Sequence, residues 1–362
     1  MRLFACDNCA SALHFENRHC GACGHRVGLR PSDLSMRALA FDEQGGLTFV
    51  SDAGMPARFC ANASADLDVC NWLVEDEGED FCVACRHNRL VPNLGAPQGL
   101  ERWRAIGRAE RHLFYSLLRL RLPHPDRRED PQGGLIFDFL EDKVGPDGTV
   151  TPAMTGHEDG LIAIRVAEAD DAVREQTRII MREPYRTLLG HFRHETGHFI
   201  WDKLVRDRNA YEGFRAVFGD ERPDYGEALQ AYYAHGAPLD WRERFISPYS
   251  SSHPWEDFAE TFAHYLHIVD TLETARAFGL QIDARGHDGL TAEVDFQPYR
   301  ASSARRLVDA WIPMTVAINE IQRSMGEPDS YPFVLSPPVV EKLEYIRALI
   351  RTAAEEPMRQ AA

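Results

Sequence analysis

The pentapeptide His194-Glu195-Thr196-Gly197-His198 carries more information than any other segment of this 362-residue chain. On a helix, residues four apart lie one above the other, so His194 and His198 present two imidazoles to a single ion. Glu195 lies one position round the helix, where it reaches a water molecule on that ion but is poorly placed to be its third ligand. Zinc held in this way, with an open position, lowers the pKa of its water to about 7. The segment therefore predicts a hydrolytic metal site.

The residues around the pentapeptide have helical spacing. Pro184 can occupy the first helical position, where its missing N–H costs nothing. Gly197 is a weak helix former, and its presence indicates that a larger side chain would crowd whatever packs beside the metal. Upstream, residues 134–140 and 160–166 are predicted strands. The apolar face of the helix comprises Tyr185, Leu188, Leu189, Phe192, Phe199 and Ile200.

A second helix is predicted over residues 252–267, with Ser252 as a candidate cap and Pro254 in its first turn. Glu256 and Glu260 lie four residues apart on one of its faces. The apolar face comprises Phe258, Phe262, Leu266 and Val269. This helix is therefore expected to pack by one face and to present acids from another.

The predicted site needs a third metal ligand, and we predict that it is Glu256. Other patterns place a histidine or carboxylate at position 201 or 204, which here hold Trp201 and Leu204. Glu260, one turn after Glu256, is placed to accept the N–H of a ligating histidine. The alternative interpretation of Glu256 is a first-turn acid that interacts favourably with the helix dipole.

All eight cysteines lie within the first 85 residues. Cys6-x-x-Cys9 and Cys20-x-x-Cys23 have the spacing of the two knuckles of a zinc ribbon, which predicts one structural zinc held by four thiolates. Disulfides are the alternative. Residues 1–6 contain no apolar core of a signal peptide, so we expect a reducing, cytoplasmic location in which metal binding is favoured.

A second structural zinc is predicted at the four remaining cysteines, Cys60, Cys70, Cys82 and Cys85. Only the last two form a close pair. Two alternatives therefore stay open: His87 or His25 replaces one thiolate, or the two ligand sets are interleaved along the chain. With the ion at the histidine pair, we expect three zinc ions in all.

The order His194-Glu195-x-x-His198, Tyr249, then Glu256-x-Phe258-Ala259-Glu260 resembles the gluzincin class of zinc metallopeptidases, in particular the branch that contains the anthrax lethal factor protease. In that branch a tyrosine seven residues before the ligand glutamate stabilises the oxyanion, and Tyr249 has this spacing. The resemblance implies Glu195 as the general base and Tyr249 as the oxyanion donor. The alternative interpretation of Tyr249 is a loop aromatic on the domain surface.

The whole chain is also similar to a bacterial family in which a zinc ribbon precedes a zinc-binding metallopeptidase domain. The paired cysteines, Leu13-His14-Phe15-Glu16-Asn17, Cys70-Asn71-Trp72 and the two helices carry this similarity. It implies an α+β fold: a small β-rich, metal-stapled ribbon domain over residues 1–92, then a mostly helical zincin-like domain with a small sheet over 93–362. Length agrees, since 362 residues exceed the usual size of one core.

Charge bears on the partners of the ribbon. The chain has a formal net charge of −16, and its first 90 residues contain eight arginines, no lysine and thirteen acids. Phosphate binding needs a basic surface, so the charge argues against nucleic acid as a partner. We expect the ribbon to contact protein instead. No apolar run reaches the length of a membrane span.

These patterns predict a zinc-dependent metallopeptidase that hydrolyses a peptide or protein substrate. Two other classes stay open: a catalytically silent zinc-binding module for protein interaction, and a nucleic-acid-associated zinc-ribbon protein. The presence of both Glu195 and Tyr249 favours the enzyme.

Overall fold

A computed structural model of the protein describes residues 2–52, 55–181 and 183–360, apart from the side chains of residues 288 and 356–360. The chain forms two compact units. The first contains Met1–Leu118 and His124–Thr177, and the second contains Arg119–Pro123 and Arg178–Ala362. The domain boundary expected between residues 92 and 93 stays a prediction, and the compact units divide the chain at different positions.

The first unit begins with short strands, as the cysteine spacing predicts. A two-residue hairpin pairs β1 with β2, and a three-stranded antiparallel sheet has the order β3-β4-β5. A small buried cluster of Leu39, Phe49, Ala57 and Leu73 supports the larger sheet. The strands are β1 (Phe4–Ala5), β2 (Ala12–Leu13), β3 (Arg26–Arg30), β4 (Ser35–Phe41) and β5 (Leu47–Phe49).

A helix and a second sheet complete the first unit. The helix α1 (Gly99–Leu120) has a buried apolar face that includes Trp103, Ile106 and Leu113. The sheet has the order β10-β11-β7-β6, and β7 lies parallel to both of its neighbours. The two predicted strands are confirmed as β7 and β11. The strands after the ribbon are β6 (Asn88–Leu90), β7 (Ile136–Leu140), β8 (Lys143–Val144), β9 (Val150–Thr151), β10 (Gly156–Glu158) and β11 (Leu161–Arg165).

The second unit is mostly helical, and its central element is α7. Phe258, Phe262, Leu266 and Val269 of this helix are fully buried, which confirms its predicted apolar face. Helix α2 (Asp171–Met181) joins the two units. The other elements are α3 (Leu188–Trp201), α4 (Tyr211–Phe218), α5 (Tyr225–His235), α6 (Trp241–Arg244), α7 (Pro254–Ala277), β12 (Gln281–Asp283), β13 (Thr291–Glu293), α8 (Ala304–Ser324) and α9 (Pro337–Gln360). The predicted α+β class is confirmed.

Both predicted starts of the metal-site helices are wrong. Helix α3 begins at Leu188 rather than Pro184, because the Thr187 hydroxyl accepts the N–H of Gly190 at 2.9 Å and caps the helix. Helix α7 begins at Pro254, but its cap is His253 rather than Ser252. Ser252 has helical backbone angles at the end of the preceding turn, so it cannot adopt the extended conformation of a cap.

Within the described part of the chain, no helix combines the length and apolar character that crossing a bilayer requires.

Glu110 of α1 gives the first unit a testable pH dependence. The side chain is fully buried, and this burial raises the pKa of its carboxyl to about 8, although a hydrogen bond from Asn88 opposes the shift. A carboxyl whose folded-state pKa is raised stabilises the fold most below its unfolded value of about 4.5 and loses that contribution as pH rises towards about 8.

We therefore expect the free energy of unfolding of the wild-type protein to fall more between pH 5.5 and pH 8 than that of Glu110→Gln. Urea unfolding followed by tryptophan fluorescence at both pH values measures the difference, since Trp72 and Trp103 are buried in the same unit. Glu101→Gln, an exposed acid of the same helix, is the control. Parallel pH profiles for all three proteins would contradict this assignment.

Candidate metal centres

The first cysteine set converges as the ribbon spacing predicts. Cys6, Cys9, Cys20 and Cys23 bring their sulfurs together, with 3.7 Å between Cys6 and Cys23 and 3.5 Å between Cys9 and Cys20. Sulfurs at the corners of a tetrahedral zinc site lie about 3.8 Å apart, because each Zn–S bond is about 2.3 Å. In the second knuckle, Gly24 takes a positive φ of 75° and donates its N–H to the carbonyl of Cys20. Glycine adopts this conformation without a steric penalty.

The second cysteine set consists of four buried thiols, Cys60, Cys70, Cys82 and Cys85. Its Cys70 and Cys82 sulfurs are 3.8 Å apart, which again fits tetrahedral zinc. The two sets are sequential rather than interleaved. Neither His87 nor His25 belongs to the converging set, which consists of the four cysteine sulfurs.

Arg111 of α1 supports the second set. Its buried guanidinium donates to the carbonyl of Val69, next to Cys70, and forms an ion pair with Glu16 at 2.5 Å. Helix α1 comes this close because a Cβ atom at Gly107 would lie 2.5 Å from Val69. A thiolate zinc site carries excess negative charge, so a buried cation beside it offsets part of the cost of burying that charge. The sequence offered no spacing signal for Arg111.

The third donor set depends on a close contact between α3 and α7. A Cβ atom on Gly197 would lie 2.8 Å from the Cα of Ala259, which is closer than side chains approach. Glycine at this position therefore lets the two helices touch, which agrees with the prediction that a larger side chain would crowd whatever packs beside the metal. Ala259 lies between Glu256 and Glu260 in α7, so the contact brings both acids to the histidines.

His194, His198 and Glu256 bring their donor atoms to one point. Oε2 of Glu256 is 2.9 Å from Nε2 of His194 and 3.5 Å from Nε2 of His198. Nitrogen and oxygen donors around a tetrahedral zinc lie about 3.3 Å apart, since each bond is about 2.0 to 2.1 Å. Glu256 Oε2 is buried without a hydrogen-bond donor, which is the state of an oxygen reserved for a cation. The donors therefore fit zinc.

Glu260 contacts both His194 and Ser247. Its Oε1 lies 2.8 Å from Nδ1 of His194, and its Oε2 accepts a hydrogen bond from Ser247 at 2.7 Å. An Nδ1–H donated to Glu260 leaves Nε2 with its lone pair towards the other donors. Burial opposes charge on both partners. His194 nevertheless lowers the pKa of Glu260 to about 2, and Glu256 together with Glu260 holds the pKa of His194 well above its usual value.

Glu195 and Tyr249, the two predicted catalytic groups, lie at this set. Glu195 is buried, and burial raises the pKa of its carboxyl against the opposing charge of the two histidines. The ring of Tyr249 lies 6.0 Å from that of His194, and burial raises its pKa, so the hydroxyl stays protonated at neutral pH. Tyr249 therefore lies partly buried beside His194, and its role as a donor stays a prediction.

Tyr225 of α5 contacts Glu256, and no motif in the sequence predicted this contact. Its hydroxyl donates to Oε1 of Glu256, and its ring packs edge-on against Trp255 with 5.4 Å between centroids. The hydrogen bond occupies Oε1 and leaves Oε2 for the metal. Tyr225, Tyr232 and Tyr233 lie on one face of α5, and this row of tyrosines is the sequence feature that could have predicted a contact with the metal site.

A helix with two histidines one turn apart, crossed by a second helix that supplies a glutamate, defines a zinc site of the metallopeptidase type. Two family models match the chain: one described as "Putative zinc-binding metallo-peptidase" over residues 99–349, and one described as a zinc-ribbon domain over residues 3–96. The chain belongs to this family of zinc-ribbon proteins with a zinc-binding metallopeptidase domain, which confirms the similarity of the whole chain to that family.

Uncharacterized proteins of Mycobacterium bovis and Mycobacterium tuberculosis are similar to this chain over nearly its full length. Each is 37% identical over 358 residues, which cover 98% of this chain and 97% of the relative. No solved structure gives a significant match.

Substitution of Glu256 tests the third donor set. We expect wild-type protein to hold about three zinc ions and Glu256→Ala to hold about two, because two imidazoles alone bind zinc weakly. Elemental analysis after dialysis measures the content. Glu320→Ala, which removes an exposed acid of α8, should retain all three. If Glu256→Ala retains the third ion tightly, the third metal ligand is a residue other than Glu256.

Removal of the Tyr225 hydroxyl tests its hydrogen bond to Glu256. Tyr225→Phe should weaken zinc binding at the third set by about 10- to 100-fold, because partners of metal ligands typically contribute that much affinity. Competition with a chelator of known affinity measures the change. Tyr211→Phe, whose ring packs on Trp201, is the control. Equal affinities in the two variants would show that Tyr225 does not orient the ligand.

Proposed function

We propose that the protein is a zinc metallopeptidase of the gluzincin type that hydrolyses peptide bonds in a peptide or protein substrate. One observation carries this proposal. The donor atoms of His194, His198 and Glu256 converge while Glu195 and Tyr249, neither of them among the converging donors, lie beside them. A purely structural zinc site would have no use for a buried carboxylate and a tyrosine hydroxyl at its edge.

His194, His198 and Glu256 would hold the ion. When bound, zinc supplies a Lewis acid that polarises the scissile carbonyl and lowers the pKa of a water molecule to about 7. Glu195 accepts the proton of the attacking water and later delivers it to the leaving amine. Its buried position suits this exchange, because burial raises the pKa of its carboxyl towards neutrality.

Tyr249 donates a hydrogen bond to the oxygen that becomes negatively charged as the scissile carbonyl is attacked. Such a donor typically lowers the barrier by about 3 kcal/mol. The raised pKa of Tyr249 keeps this proton in place at neutral pH. Glu260 and Ser247 keep His194 in one orientation during the cycle.

Digestion of a peptide library by the zinc-loaded, full-length protein tests the proposal. Glu195→Gln should retain zinc at all three donor sets and lose at least about 100-fold in turnover, because the amide cannot accept the proton. Mass spectrometry of the products and elemental analysis measure the two effects. Glu320→Gln is the matched control, since that side chain is exposed on α8. Turnover by Glu195→Gln equal to that of wild type, or no cleavage by wild type, would overturn the proposal.

A further inference from the structure

A pocket of 180 Å³ in the second unit has a lining suited to an apolar side chain. Two aromatic rings, three prolines and a valine form most of its wall: Trp241, Phe333, Pro184, Pro248, Pro332 and Val334. An apolar cavity of about 150 Å³ is large enough to bind benzene, so this pocket accommodates the ring of an aromatic side chain.

Residues 247–249 link the pocket wall to the side chains around the third donor set. Pro248 lies in the wall, and its two neighbours contact a metal-ligand candidate or the hydrogen-bond partner of one. Ser247 donates to Glu260, and the ring of Tyr249 lies 6.0 Å from that of His194. The pocket wall at Pro248 is therefore adjacent in the chain to Tyr249, the proposed oxyanion donor.

Among the described residues of the lining, Arg242 is the charged one. Its guanidinium stacks on the Trp241 ring, 4.7 Å from the centroid, and the side chain is exposed. Among the described residues no carboxylate forms an ion pair with it. A cation that is stacked but not paired is available to a carboxylate of the substrate.

We propose that this pocket binds an aromatic or large aliphatic side chain next to the scissile bond, and that Arg242 binds the carboxylate of an adjacent acidic residue. The preferred substrates are then peptide segments with a large apolar residue beside an acid. This inference rests on the proposed peptidase function, because that function places a peptide under Tyr249.

The test uses decapeptide pools randomised except at a central pair, fixed as Phe-Asp, Ala-Asp or Phe-Asn. Turnover of each pool is measured with the wild-type protein, and binding of the same pools, labelled with fluorescein, is measured with Glu195→Gln. We expect Phe-Asp to exceed Ala-Asp by at least about tenfold in both assays, since burial of a large apolar group gives discrimination of that size.

Two variants then test the pocket itself. Val334→Trp, which fills it, should reduce the preference for Phe-Asp over Ala-Asp to about twofold or less. Val144→Trp is the matched control, since Val144 is 69% exposed and Val334 is 67% exposed, and it should keep the full preference. Arg242→Gln should abolish the preference for Phe-Asp over Phe-Asn and keep the preference for Phe over Ala. Arg242 is exposed, so Arg242→Gln is expected to fold. It therefore still tests the proposal if Val334→Trp fails to fold.

The outcomes separate the two proposals. If the protein cleaves peptides without a preference for Phe, or if Val334→Trp leaves that preference intact, the pocket proposal is wrong and the peptidase proposal stands. Binding with the expected preferences but no turnover by the wild-type protein overturns the peptidase and retains the pocket. Neither binding nor turnover overturns both.

Discussion

The contact between Gly197 of α3 and Ala259 of α7 is the constraint on which the third donor set depends. Histidines on one helix and a glutamate on another meet only if the two backbones approach closely, and a single methyl group at position 197 would keep them apart. The glycine is costly within a helix, at about 1 kcal/mol relative to alanine. Its position between two ligands is therefore explained by the geometry of the site rather than by helix formation.

Buried charge is the second constraint on this region. Glu195, Glu256 and Glu260 surround two imidazoles, so the protein alone leaves excess negative charge that a divalent cation would balance. The next residue, Asp257, is also buried and forms an ion pair with Lys342 of α9 at 2.6 Å. Lys342 additionally donates to the carbonyl of Arg244. The C-terminal helix thereby fixes the start of α7, the turn that carries Glu256.

The ribbon combines buried apolar side chains with two sets of converging thiols. One buried cluster of four residues supports its sheet, and the two thiol sets bring its loops together. Metal bonds at the thiols would add to core burial in a domain of this size. The second set adds an electrostatic link, since Arg111 of α1 binds the loop that contains Cys70. Loss of zinc from the second set would remove the link between its thiolates and leave Arg111 beside an unfilled site.

Local spacing by itself determined the first four-cysteine set, the histidine pair and the apolar faces of α3 and α7, because these depend on residues close in sequence. For the second cysteine set the sequence left the ligands and their order open, and the fold decided them. Glu256 was predicted from its position on the second helix, and Tyr249 from the resemblance to the gluzincins. The fold brings both residues to the histidines. Only the tertiary structure decided the helix starts at Leu188 and Pro254, which depend on backbone angles at the caps. It also decided the roles of Tyr225 and Arg111. Their hydroxyl and guanidinium act on groups 31 and 42 residues away, and no periodic pattern in the chain encodes such contacts.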